Sequence, residues 1–276
     1  MLKGFREKLK WLDPFTYVDT FIIPKVDSLS EGVRWFFFVA SFLLLALSVT
    51  LLLGFAPVLL ALLAGFYAYL YFFDRGDAVH WSIYILSAFV FAFVLYHVVL
   101  TFVLGTSFPL MIVFSGSMEP LLYRGDVVIL TSASQLQVRE ASVDFPVGGK
   151  SLSEFAEIGY TINPRGLRQA SLKIRGQEHA FDSSGPIVVY YSPLQGKDII
   201  HRAVLKINAP DGEFLLTFGD NNPVADQFCP ASPGPRDCIT EFLVPAEQAR
   251  GKYLFHVPFV GNLKLLVFDD LPGLFG

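Results

Sequence analysis

Three short stretches of this chain carry residue types able to act together. The first is Ser115-Gly116-Ser117-Met118-Glu119-Pro120, which directly follows an apolar run and precedes Arg124-Gly125-Asp126. A serine in a glycine-flanked turn at a strand end exposes its hydroxyl and its backbone N–H together. A nucleophile with an oxyanion hole needs both. The same residues also compose an ordinary Ser/Gly turn stopped by Pro120. They match neither G-x-S-x-G nor S-x-x-K, since position 120 is proline.

A serine nucleophile needs a base within hydrogen-bond reach. After residue 105 the histidines are His179, His201 and His256. His179 follows Gly176-Gln177-Glu178 and reads as surface. His256 lies beside Pro258 and reads as a core or edge histidine. His201 sits inside Ile199-Ile200-His201-Arg202-Ala203-Val204, where strand alternation sends His201 and Arg202 to opposite faces. A structural histidine is the other reading of that position. The third stretch, Gly219-Asp220-Asn221-Asn222-Pro223-Val224-Ala225-Asp226, reads as a hairpin turn by composition. Its carboxylates, Asp220 and Asp226, also allow one to orient a histidine while the other holds the turn. A lysine base would have to be Lys197 or Lys206. Lys206 is five positions past His201 and so points to the opposite face of a regular strand. Lys197 follows Gly196 in a turn.

Cys229 and Cys238 are the only cysteines, and two isolated cysteines do not close a zinc site. A small disulfide loop is expected if this region lies outside the cytosol. The alternative is two unpaired thiols in an irregular loop.

These residues need elements to hold them. Past Pro109 short apolar runs alternate with Gly, Pro, Asn and Asp, at 109–114, 126–133, 186–192, 198–208, 213–218, 251–257 and 263–268. They are short and rich in Val, Ile, Leu, Phe and Tyr, which predicts strands. No long amphipathic helix separates them, so a mainly antiparallel or mixed β-domain is expected rather than a βαβ fold. Residues 134–184 are polar and read as an insertion, with a short helix at 151–159.

The other half of the chain has a different solvent. Residues 35–114 carry only Asp74, Arg75 and Asp77, although the whole chain has 46 charged residues. The run 35–73 is uncharged and would be about 58 Å long as one helix, against a hydrocarbon core of about 30 Å. It must fold back, and Gly54-Phe55-Ala56-Pro57 is the natural break. Spans are therefore expected at 35–53, 57–73 and 81–104, with aromatic residues near their ends. Lys3, Arg6, Lys8, Lys10, Lys25 and Arg34 precede the first span, which puts the N-terminus in the cytosol. Three crossings then put the β-domain outside. His97, in the third span, reads as a packed histidine or as part of a proton or ion path. No Asp, Glu, Lys or Arg lies inside a span, which counts against a transporter. The net charge of −4 leaves no basic excess for nucleic acid.

The order of these motifs resembles that of the type I signal peptidases, in their endoplasmic-reticulum and archaeal branch. The chain has SGSMEP at 115–120, RGD at 124–126, PIVVY at 186–190, HRAV at 201–204, GDNNPVAD at 219–226 and GKYLFHVPFVG at 251–261. The resemblance implies a membrane-anchored α + β protein: a cytosolic segment at 1–34, about three transmembrane helices in 35–107, and an extracytoplasmic peptidase domain at 108–276. It implies a serine endopeptidase that cleaves N-terminal signal peptides from exported preproteins at the outer membrane surface, without a cofactor or metal. Ser117 matches the nucleophile, His201 the general base, Asp226 the orienting acid and Asp220 the nearby family aspartate. Ser115 matches the position that helps bind the oxyanion. The implied partners are preproteins, the bilayer and the protein translocation machinery, at the plasma membrane or the endoplasmic reticulum. The longer 134–184 region, the extra spans and the Cys229–Cys238 loop depart from the family pattern. Competing readings are a catalytically inactive membrane scaffold with a partner-binding β-domain, and a repressor-type Ser–Lys peptidase.

Overall fold

The computed structural model describes residues 13–53, 57–163, 166–229 and 239–266. The chain divides into two compact units, Met1–Val99 and Leu100–Gly276.

In the first unit short helical turns at Pro14–Tyr17, Val18–Ile22 and Ile23–Asp27 lead into three helices. These are α1 (Glu31–Leu53), α2 (Pro57–Phe73) and α3 (Ala78–Val94). Helix α1 starts four residues before the expected span and α3 three before, because a helix tolerates polar residues in its first turn where a hydrocarbon core does not. Pro57 occupies the first position of α2, where its missing N–H costs nothing. The rest of the expected break, Gly54-Phe55-Ala56, lies outside the described residues. Glu31–Ser48 and the apolar stretch Ala78–Leu104 are long and apolar enough to cross a membrane, whereas Leu60–Phe73 is shorter. Gly105, at a φ of 63°, ends that stretch in the left-handed conformation that glycine adopts without strain. Phe38, Leu45, Tyr67, Leu70, Ala78 and Ile83 pack inside the unit. Ser41 donates to the Phe38 carbonyl at 2.8 Å and meets Tyr67 Oη at 3.0 Å. Phe36, Leu43, Leu62, Phe72 and Phe73 stay exposed, an apolar surface suited to lipid rather than water.

The second unit contains strands β1 (Leu110–Ile112), β2 (Val127–Thr131), β3 (Glu140–Ser142), β4 (Ala156–Asn163), β5 (Gly166–Ile174) and β6 (Gln177–Ala180). They are followed by β7 (Ile187–Ser192), β8 (Lys197–Ala209), β9 (Gly212–Phe218), β10 (Val244–Pro245) and β11 (Gly251–Val257). The main sheet runs β1-β2-β11-β7-β8-β9-β10, and every neighbour on that path is antiparallel. Strand β3 adds to β8 in parallel, and β4-β5-β6 form a separate sheet. The expected class, apolar helices followed by a mainly β domain, is what the structure has.

Two local expectations are overturned. Residues 151–159 hold one short turn, Leu152–Glu154, capped by Ser151 and Glu154, and then enter β4. The strand is legible in hindsight, because Ala156, Ile158, Tyr160 and Ile162 alternate with Glu157, Gly159, Thr161 and Asn163. The expected strand at 263–268 begins instead as a helical turn, Asn262–Leu265, with Leu265 buried. Short apolar runs do not separate the two states by pattern alone; residues 267 and 268 lie outside the described residues.

Candidate active site

Strand β1 delivers the chain into the serine turn, and a buried methionine fixes it there. Met118 packs among Val113, Leu122, Val128, Leu130 and Ile200. Turn bonds from Glu119 N to Gly116 O (3.2 Å) and from Leu121 N to Met118 O (3.0 Å) close the loop around it. Ser117 is thereby left partly exposed and Ser115 exposed. The loop returns through Gly125, at a φ of 93° that strains any residue with a Cβ, and Asn262 Oδ1 lies 1.7 Å from where that Cβ would be. Asp126, 1% exposed, accepts from the backbone N–H of Tyr123 at 2.9 Å and of Phe259 at 3.2 Å. The aspartate of Arg124-Gly125-Asp126 therefore ties the loop to the region after β11.

Strand β8 carries His201, buried at 3% exposure and opposite Val188 of β7. Its Nε2 lies 2.8 Å from Ser117 Oγ, and its Nδ1 lies 2.7 and 2.8 Å from the two carboxylate oxygens of Asp226. Asp226 is anchored where the chain returns to β9. Its N–H donates to Thr217 O at 2.9 Å, and its carbonyl accepts from Ile239 and Thr240, each at 3.0 Å. The three groups thus form one hydrogen-bonded row, with the serine at the surface and the acid buried. Such a row can take a proton from the serine hydroxyl and stabilise the imidazolium that results. Ser115 Oγ lies 3.2 Å from Ser117 Oγ. Among the described residues the Ser117 backbone N–H has no protein acceptor and is open to a developing oxyanion, while the Ser115 hydroxyl, bonded to Ser117 Oγ at rest, can turn to it as the attack proceeds.

Asp220 is placed elsewhere. It receives a two-pronged contact from Arg202, Nε to Oδ1 at 2.7 Å and Nη2 to Oδ2 at 2.6 Å, while Arg202 Nη1 donates to Gly185 O at 2.6 Å. The next residues brace the serine turn. Asn221 donates from its backbone to Ser117 O at 2.8 Å and from its side chain to Gly116 O at 3.1 Å.

The other sequence candidates stand apart from the row. Lys206 Nζ is 2.7 Å from Glu140 and 3.6 Å from Glu213. Its bond to Glu140 holds its pKa above the ordinary lysine value, the reverse of what a lysine base requires. Lys197 is the exposed first residue of β8, opposite Ser192 of β7. His179 pairs opposite Leu172 in the small sheet, and His256 Nδ1 meets Tyr253 Oη at 3.0 Å. His97 packs against Phe93 at a tilt and against Tyr96 edge-on. Cys229 is disulfide-bonded, and Cys238 lies outside the described residues. No group of His, Cys, Asp or Glu suited to a metal ion occurs among the described residues.

Sequence reasoning missed the layer behind the acid. Tyr190, 1% exposed, donates to Asp226 Oδ2 at 2.7 Å and accepts from Thr217 Oγ1 at 3.2 Å. Gln227 completes the chain, donating to Thr217 Oγ1 at 2.9 Å and accepting from Thr217 N at 3.0 Å. Burial, reinforced by the Asp226 charge, holds the Tyr190 phenol well above the usual tyrosine pKa, so it remains a donor. The available signal was a hydroxyl inside the apolar stretch PIVVY, on the strand that pairs with the one bearing His201.

No protein-family model matches the chain. Curated relatives do. It is 28% identical over 163 residues to the signal peptidase complex catalytic subunit SEC11 of Colletotrichum graminicola, covering 58% of this chain and 64% of that protein. Against sec11 of Schizosaccharomyces pombe, of the same description, identity is 32% over 127 residues, covering 46% and 53%. Against SEC11 of Schizophyllum commune it is 27% over 188 residues, covering 62% and 69%. The chain therefore spans between half and about two thirds of the length of these relatives. They bear out the resemblance to the endoplasmic-reticulum branch of the type I signal peptidases.

Proposed function

We propose that this chain is a membrane-anchored serine endopeptidase that removes N-terminal signal peptides from exported preproteins. The observation that carries the reading is the unbroken row from Ser117 Oγ through His201 to Asp226, with contacts of 2.8 and 2.7 Å. Similarity to catalytic subunits of signal peptidase complexes supplies the substrate class.

In this reading His201 Nε2 removes the Ser117 proton as Oγ attacks the scissile carbonyl. Asp226 holds the imidazole in the tautomer that leaves Nε2 free to accept. The Ser117 N–H and the Ser115 hydroxyl receive the negative charge of the tetrahedral intermediate, and one such donor is worth about 10²–10³ in rate. His201 then returns the proton to the leaving amine, and water releases the acyl-enzyme by the same route. Asp220 acts through Arg202 and the loop that braces Ser117 rather than on the imidazole. Strand β1 ends the sheet and leads into the serine turn, so its open edge is where an extended substrate adds as a further strand. Residues 35–107 anchor the protein, and 108–276 work outside the cytosol, at a plasma membrane or endoplasmic-reticulum membrane, beside the translocation machinery that delivers the preprotein.

The test uses the full chain reconstituted in liposomes with a model preprotein. Ser117→Ala and His201→Ala should abolish cleavage, while Lys197→Met should keep it. Turnover by His201→Ala at the wild-type rate would exclude the proposed base. Absence of cleavage by the wild-type chain, with the preprotein still bound, would favour the scaffold reading. Single cysteines placed in 134–184 should react with an impermeant reagent on intact cells; reaction only after lysis would reverse the orientation.

A further inference from the structure

The first unit holds a charge arrangement that the proposed peptidase chemistry does not use. Arg34 stands in the first turns of α1, and Arg75 lies in the loop between α2 and α3. Both line one cavity of about 300 Å³, together with Glu31, Trp35 and His80. Among the described residues neither guanidinium has a carboxylate within 4.0 Å or a hydrogen-bond acceptor, and the Nε of Arg34 is buried without a partner. Two neighbouring acids face His80 instead. Asp27 lies 2.7 Å from His80 Nε2, and Asp77 lies 3.9 Å from His80 Nδ1. Among the described residues Glu31 lines the cavity without pairing with either arginine. Arg75 is held in place by its rings instead, its guanidinium carbon 5.3 Å from the Trp35 centroid and 5.4 Å from that of Tyr71.

If α1 and α3 cross a bilayer, which is the reading this rests on, the loop between α2 and α3 lies at a membrane–water interface. Trp35 and Tyr71 are the aromatic types that settle there. The Arg34 Nε, a buried donor without a partner, is costly to leave unsatisfied. The anion present at that depth in every bilayer is a lipid phosphate. Arginine presents a planar fork of donors that matches phosphate oxygens in pairs, and stacking on aromatic faces fixes the fork before the ligand arrives. We propose that Arg34 and Arg75 form a binding site for the phosphodiester of a membrane-lipid headgroup. An occupied site would satisfy the Arg34 Nε and hold the α2–α3 loop against the start of α1.

The test uses the full chain purified in detergent and read by native mass spectrometry, with phosphatidylglycerol titrated in. The wild type should retain one lipid through detergent removal, and Arg34→Gln with Arg75→Gln should lower its apparent affinity at least tenfold. Arg34→Lys keeps the charge and loses the fork, so it should fall between them and guards against a variant that merely misfolds. Inorganic phosphate is the second arm. Retention of the lipid with no effect of millimolar phosphate assigns the site to a headgroup; displacement of the lipid by phosphate supports the phosphate site and assigns it to the soluble ion. Equal retention by wild type and the double variant overturns the proposal. Release of the chain from membranes by alkaline carbonate would instead defeat the membrane-crossing reading itself.

Discussion

Replacing Tyr190 with phenylalanine removes one oxygen and leaves the rest of the side chain in place. The ring is 1% exposed, so the volume stays filled and no cavity opens. What disappears is the 2.7 Å bond to Asp226 Oδ2, together with the acceptor for Thr217 Oγ1 at 3.2 Å. A hydrogen bond to a charged group is worth about 1.5–3 kcal/mol. Unfolding in denaturant should therefore show a stability loss of about that size. The same bond keeps Asp226 aligned on the imidazole while positive charge develops there. At about 1.4 kcal/mol per tenfold in rate, its full value sets a ceiling of about ten- to 150-fold on the fall in kcat, because only the part gained as the imidazolium forms acts on the barrier. KM should not move, because a side chain buried this deeply touches no substrate. The assay is steady-state cleavage of a preprotein by the reconstituted chain, with kcat and KM resolved separately. A kcat within threefold of wild type, alongside the expected stability loss, would make the bond structural only and refute its part in positioning Asp226. A raised KM with unchanged kcat would refute the placement behind the acid.

Three further outcomes follow from the same geometry. A Cβ at position 219 would sit 2.6 Å from Asn222 Nδ2 and 2.9 Å from the Ser117 carbonyl, so Gly219→Ala should depress kcat at least tenfold by displacing the serine turn while circular dichroism stays native. Lys206→Met should leave turnover within twofold, since that ammonium is engaged by Glu140 and Glu213 rather than by the serine; loss of cleavage would point to a lysine base. The Tyr190 pKa is raised in the fold, so its stability contribution is fully present below about pH 10, where an unfolded tyrosine ionises, and is lost as pH rises through the folded value. Wild type should thus lose stability above pH ~10 more steeply than Tyr190→Phe, read from denaturant midpoints at each pH; parallel slopes would contradict this.

Much of the architecture is written locally in the chain. The charge-free stretches, Pro57 and the polar loop at Asp74-Arg75-Gly76-Asp77 mark the helices, because a helix of apolar residues needs only its own backbone and an apolar surrounding. The runs that became β2, β7, β8, β9 and β11 were readable for the same reason, since alternation and β-branched residues act over a few positions. The alternation in β4 was equally present and was obscured by the polar composition around it. The turn at Asn262–Leu265 was not readable, because Leu-Lys-Leu satisfies strand and helix alike until burial of Leu265 decides. Ser117, His201 and both aspartates were recognisable as candidates from their motifs. Their partnership was not. Ser117 and His201 are 84 residues apart and meet only through the antiparallel register that lays β7 and β8 beside the serine turn. The choice between Asp226 and Asp220 depends on how the loop after β9 folds back, which turns Asp226 toward His201 and leaves Asp220 to Arg202. Tyr190 became significant only when the loop after β9 placed a carboxylate 2.7 Å from its hydroxyl. Local periodicity acts between residues a few positions apart and is visible in one dimension. Hydrogen-bond partners in a sheet are set by register and loop path, which exist only once distant segments have packed.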